Sequence, residues 1–232
     1  GAGQLHIDYD RQTAQVEEHE LKEGDVITVD GTSGRIMLGA VPTLEAELTG
    51  DFGTLMGWAD ARRRLAVRTN AETARDAARA LRFGAEGIGL CRTEHMFFDP
   101  ARIALVRQMI LAADATAREK ALDQLLPMQR DDFAALFETM EDRPVTIRLL
   151  DPPLHEFLPH PNDDITALAA ALEQTEEQLR GRISELVESN PMLGHRGSRL
   201  GITAPEIYTM QLRAIFAAMK QNKGKTPVEI MF

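Results

Sequence analysis

Apolar and polar positions change rhythm along the chain. Near the N-terminus, Val26-Ile27-Thr28-Val29 and Arg35-Ile36-Met37-Leu38 flank the turn Asp30-Gly31-Thr32-Ser33-Gly34, which predicts a β-hairpin. His6-Ile7-Asp8-Tyr9 reads as a partner strand and Lys22-Glu23-Gly24-Asp25 as a turn. Gly1-Ala2-Gly3 carries no start signal, so residues 1–42 read as the tail of a β-rich domain. Residues 43–64 are broken by Gly50, Gly53 and Gly57, with Trp58 among them. They predict a partly helical linker, with Arg62-Arg63-Arg64 as a solvated helix face.

From residue 65 the period alternates between strand and helix. Leu65–Thr69, Gly87–Cys91, Val145–Leu150 and Val228–Phe232 read as strands. Between them, Thr73–Phe83 reads as a helix stopped by Gly84, and Asp99-Pro100 opens a helix with Ile103, Val106 and Ile110 inward. Thr116 and Glu119 have capping-box spacing, and Pro127 predicts the end of that helix. Phe133, Leu136, Phe137 and Met140 mark another. Ile165, Leu168, Leu172, Thr175, Leu179 and Leu186 predict one long amphipathic helix, and Pro205 to Lys223 a last one closed by Gly224. Strands separated by helices predict a parallel α/β sheet or barrel. A chain that stops on a strand leaves a pairing edge, so the C-terminus, like the N-terminus, reads as cut, and a second copy or the chain's own helices are expected to cover the edge.

Composition narrows the function. The 232 residues are 44% apolar, enough for a core, with no apolar run long enough to span a membrane and no signal-peptide pattern. One Cys permits neither an internal disulfide nor a cysteine-based zinc site and suits a reducing, cytoplasmic setting. A net charge of −10 argues against general nucleic-acid binding. Residues 1–64 hold 6 basic and 12 acidic side chains and residues 65–232 hold 20 and 24, so a local arginine cluster in the second part could make a positive site.

The arginines mark that site. Arg92 follows the strand ending at Cys91, Arg148 lies in the strand before Asp151, and Arg196 and Arg199 follow the glycine-rich turn near Gly194. Active groups of (β/α) barrels stand at the C-terminal ends of strands, and guanidinium forks match phosphate or carboxylate oxygens. The alternative is a set of ordinary ion pairs with Glu94 and Asp151. His95, His155, His160 and His195 lack metal-ligand spacing, Cys91 reads as a small buried residue, and Met192, Met210 and Met219 read as core filling.

Three motifs carry a resemblance: Gly87-Ile88-Gly89-Leu90-Cys91-Arg92-Thr93-Glu94-His95-Met96-Phe97-Phe98, the run from Val145 through Leu149-Leu150-Asp151-Pro152-Pro153-Leu154-His155-Glu156 to Pro159, and Asn190-Pro191-Met192-Leu193-Gly194-His195-Arg196-Gly197-Ser198-Arg199-Leu200. With the stretch Gly50 to Asp60, they resemble the pyruvate, phosphate dikinase family of PEP-utilising enzymes over essentially the whole chain. The resemblance implies an α/β fold: the first half of a PEP/pyruvate-type (β/α)8 TIM barrel with helical insertions over 65–232, a linker over 43–64, and, over 1–42, the C-terminal part of a swivelling phosphohistidine domain. It implies that Arg92, Arg148 and Arg196 bind the phosphoryl group of phosphoenolpyruvate, with Asp151 and Arg199 as neighbours of less defined role. The phosphorylated His, the Mg²⁺ ligands and the acid Cys are expected outside residues 1–232, so neither catalytic nor metal-binding residues are expected within the chain, which alone would be inactive. The family's substrates imply pyruvate, phosphoenolpyruvate, ATP and phosphate as partners, a homodimer, and neither nucleic acid nor membrane. A phosphoenolpyruvate synthase-like phosphotransferase and a non-catalytic scaffold fragment remain alternatives.

Overall fold

The computed structural model describes residues 5–9, 11–16, 18–43, 49–160 and 163–232. The chain divides into two compact units, Gly1–Gly53 and Thr54–Phe232. Gly1-Ala2-Gly3 and residues 44–48 of the expected linker lie outside the described residues.

In the first unit, β1 (His6–Asp8), β2 (Thr13–Val16) and β3 (His19–Lys22) form an antiparallel meander. β4 (Ile27–Asp30) and β5 (Arg35–Leu38) form the expected hairpin, with Asp30 paired to Arg35 and Gly34 at φ 73 in the turn. β1 therefore partners β2 rather than the hairpin. β2 and β3 escape pattern reading because they are short and largely polar. α1 (Gly50–Arg62) follows, lies mostly in the second unit, and has no buried residue. Arg63, just beyond it, is not a free solvated charge, since its guanidinium binds Asp60 at 2.6 Å and Glu86 at 2.5 Å.

The second unit runs β6 (Thr69–Asn70), α2 (Ala74–Arg82), β7 (Ile88–Arg92), α3 (Thr93–Phe97), α4 (Pro100–Leu111), α5 (Ala115–Met140), β8 (Val145–Arg148), a 3₁₀ turn (Leu154–Phe157), α6 (Thr166–Ala171), α7 (Glu176–Leu186), α8 (Ser198–Thr203), α9 (Pro205–Gln221) and β9 (Val228–Met231). Among the described residues, β6-β7-β8-β9 make a parallel sheet in chain order. β8 and β9 pair without interruption from Val145↔Val228 to Arg148↔Met231, whereas β7 shifts register between Ile88 and Cys91. Ile88, Cys91, Val145 and Ile147 from the sheet pack in one core with Val106 and Met109 of α4, Phe133 and Phe137 of α5, and Ala214 and Ile215 of α9.

Several local expectations give way to tertiary packing. The strand expected over Leu65–Thr69 shortens to β6, and Leu65 and Val67 are exposed. Asp114, not the Thr116/Glu119 pair, caps α5 by accepting from Ala117 N. Pro127 does not end that helix, and the two expected helices form one of 26 residues. An internal proline costs about 3 kcal/mol; burial of Leu122 and Leu125 before it and Phe133, Leu136 and Phe137 after it, largely along α9, outweighs that cost. The long helix expected through 165–186 is two. Glu173 turns left-handed at φ 54, and Thr175 and Gln178 form a capping box that starts α7 anew. Met210 is buried as expected, but Met192 is exposed in the loop before α8.

Candidate functional site

The site forms where β7 and β8 end. Arg92 and Arg148 are register partners in the parallel ladder, so they leave the same face of the sheet side by side. Each is only partly exposed. The chain turns immediately after each strand: α3 begins at Thr93, and Asp151-Pro152-Pro153 follows β8. The two post-strand segments are packed together by aromatic rings. Phe157 stacks on Phe98 with centroids 4.8 Å apart and meets Phe97 edge-on at 6.4 Å.

Arg196 arrives from the loop before α8. Its Nε donates to Asp151 O at 2.9 Å and its Nη2 contacts Asp151 Oδ2 at 2.9 Å. Arg148 Nη1 lies 3.2 Å from the same Oδ2, and Arg148 Nη2 donates to Glu94 Oε1. Arg92 Nη1 donates to Glu72 Oε1 at 3.1 Å, an oxygen that also lies 3.7 Å from His95 Nδ1. Three guanidiniums are thus matched by three carboxylates, as the ion-pair alternative anticipates for Glu94 and Asp151. The hydrogen bonds that Arg196 donates to the Asp151 carboxylate hold its guanidinium firmly in its charged form. Yet the matching is incomplete: Arg148 Nε and Glu94 Oε2 are buried without a hydrogen-bond partner. A donor of this kind is costly to leave empty and ready to receive an anionic oxygen.

Gly197 allows Arg196 this approach. It sits at φ 55, ψ −133, a region open to glycine, and a Cβ there would lie 3.2 Å from Asp151 Oδ1. Arg199, expected beside the cluster, is exposed in the first turn of α8, with Nη2 3.5 Å from Met192 O. His195 is engaged away from the arginines, with Nε2 2.5 Å from Thr203 Oγ1. Cys91 is fully buried in the core, and burial pushes its thiol pKa well up, which removes it as a nucleophile.

Sequence reading missed Glu72, which orders Arg92, and a buried polar group on α9. Gln211 and Tyr208 interrupt the apolar stripe of Ile207, Met210, Ala214 and Ile215, and polar residues on a core-facing stripe are the one local signal that could have found them. Among the described residues, no group of three or more His, Cys, Asp or Glu could hold a metal ion, and the carboxylates nearest the arginines are occupied by them. No described helix is long and apolar enough to cross a membrane.

Fold and site define an α/β protein whose parallel strands end in a cluster of paired arginines and carboxylates. The family model for the PEP-utilising enzyme, PEP-binding domain matches residues 46–232, and the chain belongs to that family. It is 56% identical over 231 residues to a pyruvate, phosphate dikinase of Rhizobium meliloti (strain 1021), covering 100% of this chain and 26% of the relative. A pyruvate, phosphate dikinase of Clostridium symbiosum is 46% identical over 231 residues with the same coverage. One of Giardia intestinalis is 52% identical over 218 residues, covering 94% of this chain and 25% of the relative. The chain thus spans about a quarter of the length of these relatives.

Proposed function

We propose that this chain is part of a pyruvate, phosphate dikinase, in which ATP, phosphate and pyruvate interconvert with AMP, diphosphate and phosphoenolpyruvate through a phosphohistidine. Residues 1–42 would be the last part of the swivelling domain, 43–64 its linker, and 65–232 the first half of a (β/α)8 barrel. The observation that carries this reading is the register pairing of Arg92 with Arg148 at the C-terminal ends of β7 and β8, with Arg196 joined to Arg148 through Asp151. That end of parallel strands is where such folds hold ligands.

A phosphoryl group in transfer spreads negative charge over its equatorial oxygens. Guanidiniums already fixed by carboxylates stabilise that charge without reorganising when the reaction occurs. In this reading Arg92, Arg148 and Arg196 hold the phosphoryl group of phosphoenolpyruvate, and Asp151 keeps two of them in place. Mg²⁺ enters only as an ion held by residues outside this chain. The enzyme would be a cytoplasmic homodimer, a compartment in which the single buried thiol needs no oxidant.

The test uses the full-length enzyme carrying Arg92→Lys. Lysine keeps the charge but loses the planar fork. Turnover of phosphoenolpyruvate is expected to fall roughly a hundredfold to a thousandfold, the scale of one removed stabilising donor. Near-normal turnover would overturn the assigned role. A requirement for phosphate as co-substrate separates the dikinase from a phosphoenolpyruvate synthase. The 232-residue chain alone is expected to form no phosphoenolpyruvate from ATP, phosphate and pyruvate.

A further inference from the structure

Gln211 hydrogen-bonds to neither arginine side chain but to Leu150 N and Thr93 Oγ1, at the two strand ends that carry them. It is completely buried on α9. Its Oε1 accepts from Leu150 N at 2.9 Å, and its Nε2 donates to Thr93 Oγ1 at 3.0 Å. Thr93, also completely buried, donates its hydroxyl proton to Arg148 O at 2.9 Å. The orientation of the carboxamide is dictated by its partners. Leu150 N–H can only donate, so the atom facing it is the oxygen, and the amide nitrogen is left for Thr93.

Each hydrogen bond in this chain has a definite direction. Thr93 spends its one proton on Arg148 O and accepts from Gln211. One turn earlier on α9, Tyr208 OH donates to Leu150 O at 2.7 Å. The segment Arg148-Leu149-Leu150 is therefore held by Thr93 at its first carbonyl, by Met231 O at Leu149 N at 3.0 Å, and by α9 at both polar atoms of Leu150. Thr93 directly follows Arg92. One carboxamide thus links the residue after the first arginine to the backbone around the second.

Buried hydrogen bonds of this sort need not exist for folding alone. The neighbouring positions on α9, Met210, Ala214 and Ile215, fill the core without polar atoms, and a buried polar network is costly unless fully satisfied. We infer that Gln211 is a positioning residue for phosphoryl-group binding: with Thr93 as intermediary, it sets the spacing and orientation of Arg92 and Arg148. The inference rests on the proposed function and adds a residue to it. A sub-ångström shift of the strand ends displaces both guanidiniums together, because each is anchored to its carboxylate only after the backbone has placed it.

Gln211→Met keeps the volume and removes both polar bonds. Measured in the full-length enzyme, kcat/KM for phosphoenolpyruvate is expected to fall roughly tenfold to a hundredfold, the scale of a misplaced reacting group. The partial reaction of the enzyme with ATP and phosphate should keep its rate. Thr93→Val should reproduce the loss, and Thr93→Ser, which restores the hydroxyl, should recover most of it. The decisive readout is non-additivity. If Gln211 acts through the two arginines, Gln211→Met costs several-fold less in an Arg148→Lys background than in the unmodified enzyme, because only Arg92 is left for it to misplace. Full multiplication of the two losses, equal loss in both partial reactions, or unchanged kcat/KM in both Gln211→Met and Thr93→Val overturns the inference. Should Gln211→Met fail to fold, the Thr93 pair carries the same test. Arg148→Lys with normal turnover would instead sink the underlying reading of the site, so the two failures are distinguishable.

Discussion

Arg148 and Arg196 meet on a single oxygen: Asp151 Oδ2 lies 3.2 Å from Arg148 Nη1 and 2.9 Å from Arg196 Nη2. Asp151 is in the turn after β8, so the strand that carries one arginine also carries the anchor for the other. Two like charges are brought together by a carboxylate between them, and its backbone carbonyl adds a second bond to Arg196. Asp151→Asn would retain one acceptor and replace the other with a donor facing the guanidiniums. A loss of about 1–3 kcal/mol in unfolding free energy is expected, read by urea denaturation. An unchanged midpoint would show that the shared oxygen adds nothing to stability.

Glu94 and Arg148 form the most buried ion pair of the cluster, with the carboxylate side chain 7% exposed. Removing one member strands the other. Glu94→Leu should therefore cost about 3 kcal/mol, and so should Arg148→Met, while the double variant should cost much less than their sum. A double-mutant cycle on unfolding free energies measures the coupling, and additivity within about 0.5 kcal/mol would contradict the pairing.

Gly197→Ala forces a side chain into φ 55, ψ −133 and places its Cβ against Asp151 Oδ1. Backbone strain alone is worth about 1–3 kcal/mol. Gly181→Ala in α7, where a Cβ meets open space, is the contrasting substitution. It should be neutral or stabilise by about 0.5–1 kcal/mol. Thermal melts that rank the two variants the other way would refute the account of the Arg196 loop.

Stability should fall under alkaline conditions. Burial pushes the Cys91 thiol up from its ordinary 9.0, aided by the charges of Glu72, Glu94 and Asp132. Burial, with the charge of Asp151, pushes Tyr208 from 10.0 up to about 12. Above pH 9 the unfolded chain sheds the thiol proton that the folded chain keeps, and between pH 10 and about 12 the same holds for the phenol. The unfolded state then binds fewer protons, so unfolding free energy declines with pH, by up to about 1.4 kcal/mol per pH unit for each group. Cys91→Ala should remove the first part of the decline and Tyr208→Phe the second, in denaturation series from pH 8 to 11. Identical slopes in all three proteins would exclude both groups as the cause.

Much of the site could be read from local pattern. An apolar strand that runs into an arginine places Arg92 at a strand end without knowledge of the rest, whereas the strand expected over Val145–Leu150 puts Arg148 in its interior and the structure ends β8 on it. Asp99 before Pro100 and the Gly-rich turn of the 27–38 hairpin are equally local, because a cap or a turn is decided by a few neighbouring residues. Arg199 shows the limit: its motif suggests a place in the cluster, but α8 turns it outward.

The alternation of strands with helices after residue 65, the parallel sheet class and the arginines near the strand ends followed from periodicity, caps and motif, each a property of contiguous residues. Whether α5 would run through Pro127, which acid would answer Arg92, and why a glutamine stands in the apolar face of α9 were decided only in three dimensions. The energy that settles them comes from partners far apart in the chain: Leu122 to Phe137 against α9, Glu72 against Arg92, and Gln211 against Thr93 and Leu150. Such contacts leave no local trace, since burial and ion pairing depend on what the fold brings near and not on what precedes or follows in sequence.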